Sequence, residues 1–89
     1  MTTSMWYVYI VRCSDNSLYT GIARDVAARL AQHNSGQGAK YTRGRGPVEL
    51  LHQEQVPDRA AALRREAQIK RMTPAGKHLL VAAARGKRL

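Results

Sequence analysis

The order of elements legible in this chain, ββαβαα, predicts an α+β fold, an α/β sandwich in which a small sheet is covered by helices. Three observations carry that expectation. Two short runs rich in aromatic and β-branched residues, 5–13 and 18–23, flank the turn-forming Ser14-Asp15-Asn16. A third run with alternating character occupies 48–56. Helix starts are then punctuated by Asp25, by Pro57-Asp58 and by Thr73-Pro74.

The hairpin is the most constrained segment. Tyr9 and Tyr19 reach one face of the sheet only if odd positions on both strands share that face. A two-residue loop at Asp15-Asn16 would pair odd with even positions and send the two rings to opposite sides. A three-residue loop, Ser14-Asp15-Asn16, pairs Tyr9 with Gly21 and Val11 with Tyr19. That loop calls for a left-handed residue at its third position, so Asn16 is expected at positive φ, which Asn tolerates better than any residue but Gly.

Asp25 suits the N-cap of a helix over 26–34, closed by Ser35-Gly36. Val26 and Leu30 can face the sheet, with Arg29 and His33 one turn apart on an adjacent stripe. The loopiest stretch is 35–47, where Gly36, Gly38, Gly44 and Gly46 mix with Lys40, Arg43 and Arg45. In the third strand Val48, Leu50 and His52 alternate with Glu49, Leu51 and Gln53; its direction is not set by these residues. Pro57-Asp58 opens a helix over 59–72. Thr73-Pro74, an N-cap and a proline at the first helical position, opens another to about Ala84. Arg85, Lys87 and Arg88 remain as a frayed basic tail. No internal repeat appears, so a single domain spanning 1–89 is expected, with an ordered core over 5–84.

Composition narrows the function. A chain of 89 residues buries only about 60% of its unfolded surface and has a small core. One cysteine, Cys13, excludes an intrachain disulfide and offers no cysteine cluster for structural zinc. The longest apolar run, 5–11, is too short to span a membrane, and no cleavage-site pattern follows it. An intracellular, cytoplasmic protein is the default. Fifteen Lys and Arg stand against six Asp and Glu, a formal charge of +9. That excess predicts a polyanionic partner, DNA or RNA ahead of a membrane surface, although charge alone does not separate this from a ribosome-associated or merely soluble basic protein.

Glu66 is the local anomaly. On a helical projection it falls within the arc from Ile69 to Leu63 with Ala62, while Arg64, Arg65 and Arg71 lie outside. A carboxylate among sheet-facing residues is costly unless paired or bound to a cation. An ion pair with Lys70 or Arg29 and a metal site both satisfy it. Arg29 offers a bidentate fork for a phosphate whose charge grows in the transition state, or is a solvated helix arginine. Tyr9 and Tyr19 can position or deprotonate a water. A phenol with a pKa near 10 is a poor base, although neighbouring cations would favour the phenolate. His33, one turn beyond Arg29, can support the tyrosines; His52 and His78 read as structural. The Gly-rich loop can wrap a sugar-phosphate backbone, with Lys40, Arg43 and Arg45 neutralising phosphates and Tyr41 stacking on a base or sugar.

Together these residues resemble the GIY-YIG nuclease family. Tyr7-Val8-Tyr9 sits where its first tripeptide falls, with Tyr7 in place of glycine, and Tyr19-Thr20-Gly21 where the second falls, with Thr20 for isoleucine. Arg29, His33 and Glu66 match the family's helical arginine, a site often held by histidine, and the metal-binding glutamate. The segments Asn34-Ser35-Gly36, Ala39-Lys40-Tyr41-Thr42-Arg43 and Ala62-Leu63-Arg64-Arg65-Glu66 look like its small stand-alone bacterial branch. The resemblance spans 6–80. It implies three antiparallel strands flanked by helices and phosphodiester hydrolysis with one divalent ion, Mg²⁺ (or Mn²⁺), on Glu66. In that scheme Tyr9 orients or deprotonates water, Tyr19 assists and Arg29 stabilises the phosphorane. The chain departs from the family in having no asparagine after Glu66; Lys70 or Lys77 would stand in.

The expected function is therefore a Mg²⁺-dependent endonuclease on DNA with low sequence specificity, since so small a domain has no second module to read bases. Lys70 joins Lys40, Tyr41, Arg43 and Arg45 as a nucleic-acid contact, and no small-molecule cofactor is expected. The alternatives are a non-catalytic nucleic-acid-binding module of the same fold and a subunit delivering that fold to a repair complex.

Overall fold

Strand β1 (Trp6–Arg12) occupies the middle of a three-stranded antiparallel sheet, between β2 (Leu18–Ala23) and β3 (Glu49–Val56). The computed structural model describes residues 5–38, 42 and 44–86. Helix α1 (Val26–Asn34) follows the hairpin, and α2 (Arg59–Lys70) and α3 (Pro74–Gly86) follow β3. The elements stand in the order ββαβαα, and β3 runs antiparallel to β1.

The hairpin register is the one that parity requires. Tyr9 faces Gly21 and Val11 faces Tyr19 across the strands, and Asn16 sits at φ 68°. The turn is closed by Cys13 N–H donating to Ser17 O at 2.8 Å and Asn16 N–H to Cys13 O at 2.9 Å. Asp15 Oδ1 accepts from the Ser17 N–H at 3.0 Å, an Asx turn that stiffens the loop. Odd positions of both strands therefore share a face.

Each face has its own core. On the odd face Tyr9, Val11, Cys13 and Ala23 pack with Val26 and Leu30 of α1 and with Val48 and Leu50. On the even face Val8 and Ile10 pack with Ala62 and Ile69 of α2, Val81 of α3 and the half-buried Trp6, Ile22 and Leu51. A fully buried side chain such as Ile10 contributes roughly 1.5–3 kcal/mol. The helices begin where their caps put them. Asp25 Oδ1 accepts from Ala28 N–H at 3.0 Å, Asp58 Oδ1 from Ala61 N–H at 2.8 Å, and Thr73 Oγ1 from Gly76 N–H at 3.1 Å. Helix α1 ends as expected at Ser35-Gly36, with Gly36 at φ 83°. Asn34 Oδ1 then accepts from Val48 N–H at 2.7 Å and ties that end to the start of β3.

Three expectations need correction. The third strand does not alternate strictly: its register against β1 shifts between Ile10–His52 and Val11–Leu50, so Leu51 is an extra residue. Val48 and Leu50 join the α1 side, whereas His52 pairs with Ile10 on the even face. Helix α2 is rotated relative to the predicted arc. Its buried line is Ala62 and Ile69, while Leu63, placed inside the arc, is 39% exposed. Arg65, placed outside it, is half-buried and grips Glu54 of β3 with Nε to Oε1 at 2.8 Å and Nη2 to Oε2 at 3.0 Å. His52 Nε2 bonds the same carboxylate at 2.8 Å. Finally, α3 runs from Pro74 to Gly86, so Arg85, expected in the tail, belongs to the helix, and His78 on it is exposed. Lys87 and Arg88 lie outside the described residues.

Because Asn16 holds the left-handed position of the turn, Asn16→Gly is expected to leave stability within about 0.5 kcal/mol. Asn16→Val, β-branched at positive φ, is expected to cost about 1–2 kcal/mol, read by urea unfolding. Equal midpoints for the two variants would contradict that turn geometry.

Candidate active site

Tyr9 is the point on which the odd face converges. It is 1% exposed, and its hydroxyl lies 2.8 Å from His33 Nε2. His33, also 1% exposed, is held on its other side by Thr42 Oγ1, 2.7 Å from Nδ1. The Tyr19 ring packs edge-on to His33 with centroids 5.4 Å apart and stands 6.3 Å from the Tyr9 ring. Pairing and helix phase produce this convergence: Tyr9 and Tyr19 share the odd face, and α1 lies across it.

Two glycines give the cluster its room. A Cβ on Gly21 would sit 2.6 Å from the Tyr9 hydroxyl and 2.7 Å from its Cζ, so the phenol can cross the neighbouring strand only over a residue without a side chain. A Cβ on Gly38 would sit 2.8 Å from the His33 Cα and collide with its ring. The sequence singled out Gly38 only as part of a phosphate-wrapping loop.

Arg29 joins the cluster from α1. Its guanidinium lies near enough to the Tyr9 hydroxyl to favour the ionised phenol, and Nη1 donates to Gln32 Oε1 at 2.7 Å. Burial nevertheless dominates and pushes the Tyr9 pKa above its usual value of 10.0, with the charges of Tyr19 and Glu66 acting in the same direction. The neighbouring cation Arg29 does favour the phenolate, as expected, but burial outweighs it, and Tyr9 is a neutral phenol at neutral pH. Burial, reinforced by the Arg29 charge, holds His33 below its usual 6.5, so its imidazole is neutral there too.

Glu66 approaches from the opposite layer. On α2, Glu66 and Arg65 fall about 50° to either side of the line through Ala62 and Ile69. Arg65 turns to Glu54 on β3, which leaves Glu66 on the flank toward β2, where its charge bears on the Tyr9 hydroxyl. Its side chain is 19% exposed and its ion-pair partner is Lys70, with Nζ 3.4 Å from Oε2 on a side chain 52% exposed. An i,i+4 helix pair of that kind contributes only about 0.3–0.5 kcal/mol, so the carboxylate is not locked away.

Among the described residues no three His, Cys, Asp or Glu side chains converge as a metal cage. A lone carboxylate does not suit zinc or calcium, which draw on several protein donors. It does suit Mg²⁺ (or Mn²⁺), which keeps several waters and completes its shell with substrate phosphate oxygens. The residues present fit that ion, which Glu66 would hold.

The remaining predicted contacts divide. Lys40, Tyr41 and Arg43 lie outside the described residues. Arg45 does not present a solitary guanidinium to a phosphate: Nη1 donates to Asp15 Oδ2 at 2.8 Å, and its carbonyl accepts from Ser14 N–H, tying the loop to the hairpin turn. Lys70 pairs with Glu66, whereas Lys77 lines a cleft of about 420 Å³ with Asp15, Asn16 and His78 at the turn end. Thr42 went unassigned, since nothing in a polar loop position nine residues from His33 marks it as a partner. No helix among the described residues is long and apolar enough to cross a membrane.

Comparison with known proteins places the chain in a family. The family model described as GIY-YIG catalytic domain matches residues 5–78. A UPF0213 protein of Natronomonas pharaonis is 50% identical over 80 residues, covering 90% of this chain and 94% of its own length. One from Haloquadratum walsbyi is 61% identical over 67 residues, 75% of each chain. The solution structure of a Bacillus halodurans UPF0213 protein superposes with a TM-score of 0.58 at 44% identity, covering 89% of this chain and 84% of that one. A protein of known structure from E. faecalis gives 0.60 at 35% identity, covering 94% and 92%.

A histidine whose pKa is lowered on folding favours the neutral form. Its contribution to stability is present above about 6.5 and is lost as pH falls through the lower, folded value. The ring-proton NMR titration of His33 is expected to have its midpoint below 6.5, the usual value; a midpoint above it would show that the buried site stabilises the imidazolium instead.

Proposed function

The chain belongs to the GIY-YIG family, a family of nucleases, and from that membership we propose that it is a metal-dependent endonuclease hydrolysing phosphodiester bonds of DNA with low sequence specificity. The observation that carries this reading is the buried hydrogen bond between Tyr9 and His33, with Arg29 beside it and Glu66 within electrostatic reach. A structural tyrosine needs only one partner for its hydroxyl. This one has a neutral imidazole to take its proton, a guanidinium to meet an anion and a carboxylate that lacks a strong partner.

The steps follow from the side chains. The neutral Tyr9 hydroxyl accepts a hydrogen bond from a water aligned with the scissile phosphorus. As the water oxygen bonds to phosphorus, its proton passes to the phenol oxygen and the phenol proton passes to His33 Nε2. This route needs no phenolate at rest, in keeping with the raised pKa of Tyr9. Arg29 supports the charge that builds on the phosphorane oxygens, and Tyr19, packed against both rings, orders the water from the other side. The bond to the leaving oxygen then breaks, that oxygen departs as an alkoxide that takes a proton from solvent, and His33 returns its proton to solvent. Glu66 would hold Mg²⁺, which when bound supplies Lewis-acid stabilisation of the phosphate and leaving oxygens. A chain of formal charge +9 is drawn to the phosphates of a polyanionic strand whatever its sequence.

A non-catalytic nucleic-acid-binding module is the competing reading, favoured by the lack of any asparagine after Glu66. A cleavage panel of duplex, single-stranded and branched DNA, with and without Mg²⁺, separates the two. Glu66→Ala is expected to lower Mg²⁺-dependent cleavage by at least about 100-fold while DNA binding persists. A wild type that binds every substrate and cuts none would establish the binding module.

A further inference from the structure

We propose that Thr42 is a positioning residue that holds His33 in its Nδ1–H tautomer and thereby obliges the Tyr9 hydroxyl to donate to Nε2. The two contacts on the ring, 2.8 Å from Nε2 to the Tyr9 hydroxyl and 2.7 Å from Nδ1 to Thr42 Oγ1, allow two arrangements of hydrogen. In one, Nδ1–H donates to Thr42 and Nε2 accepts from Tyr9. In the other, Thr42 donates to Nδ1, and Nε2–H donates to the phenol oxygen.

Counting donors separates them. In the second arrangement the Tyr9 O–H needs another acceptor. The residue is 1% exposed, the nearby Arg29 guanidinium has only donors, and no other acceptor bonds this hydroxyl among the described residues. The second arrangement therefore strands the buried Tyr9 O–H, whereas the first asks only that the Thr42 O–H turn away from the ring, and Thr42 has a further interaction besides His33.

The surroundings hold Thr42 and the ring in place. Thr42 is 1% exposed, and its carbonyl accepts from Arg45 N–H at 3.1 Å, closing one turn of the loop. Gly38 lies against the same edge of His33, close enough that a Cβ would collide with Nδ1 and reach 2.8 Å from the Cα. The ring thus has little room to turn, and the choice of tautomer falls to the partner of Nδ1.

The tautomer assignment stands on geometry alone, while its consequence for rate rests on the nuclease reading above. If Nε2 carries a proton, it cannot receive the one from Tyr9. Long-range ¹H–¹⁵N NMR of ¹⁵N-histidine-labelled protein, at a pH where His33 is neutral, reads the tautomer directly. Wild type and Thr42→Ser are expected to show a protonated Nδ1 and a bare Nε2. The near-isosteric Thr42→Val is expected to populate Nε2–H and to lower kcat by about 10- to 100-fold, with the affinity for uncut DNA measured without Mg²⁺ unchanged. Serine is expected to restore both readouts. A wild type protonated on Nε2 overturns the proposal whether or not the valine variant folds, as does a valine variant that keeps Nδ1–H and full turnover. A wild type with Nδ1–H that cleaves no DNA supports the tautomer and removes the nuclease reading instead.

Discussion

The hydrogen bond between the Tyr9 hydroxyl and His33 Nε2 is the interaction on which the rest of the site depends. It joins the central strand to α1 in a place almost closed to water, where an unmet hydroxyl would cost about 1–3 kcal/mol. Much of the chain serves to make that meeting possible. The left-handed Asn16 sets the hairpin so that Tyr9 and Tyr19 share a face, and Asp25 starts α1 in the phase that turns His33 inward. Gly21 lets the phenol pass over the neighbouring strand, and Gly38 makes room for the imidazole. Burial, which secures the bond, also decides its chemistry: it raises Tyr9, lowers His33 and leaves both neutral. A neutral pair can pass a proton along, whereas a stable phenolate held by the nearby arginine would have no proton to pass.

The acid is positioned by a separate device. The clasp of Arg65 on Glu54, with His52 on the same carboxylate, fixes the rotation of α2 about the Ala62–Ile69 line. That rotation sends Glu66 to the β2 side, toward Tyr9. The arginine holds the Glu54 carboxyl below its ordinary value, so the clasp is present at neutral pH and weakens only in acid. Two layers packed on opposite faces of one sheet thereby contribute to a single edge.

The local rules read well from the sequence where one residue decides the geometry. Parity between two tyrosines sufficed for the hairpin register, and Asp25, Asp58 and Thr73 for the helix starts. What stayed hidden depends on neighbours far along the chain. The extra residue at Leu51 looks like ordinary alternation until the strand is laid against β1. The side of α2 that faces the sheet is poorly marked, because Arg64, Arg65, Glu66 and Gln68 crowd its middle and only Ala62 and Ile69 are fully buried. The arginine placed outside its arc is the one that holds it. Thr42 carries no local signal at all, and the protonation of Tyr9 turned on how deeply it is buried, which charge composition does not disclose.

The claim that Tyr9 and His33 act as one unit is tested most directly by a double-mutant cycle on cleavage rate. Tyr9→Phe and His33→Gln are each compared with the wild type and with the double variant in the same Mg²⁺-containing assay. The account predicts comparable losses for the two single variants and a double variant no slower than the slower of them. Losses that multiply in the double variant would mean that the two residues contribute independently, and the proton path through the buried hydrogen bond would have to be abandoned.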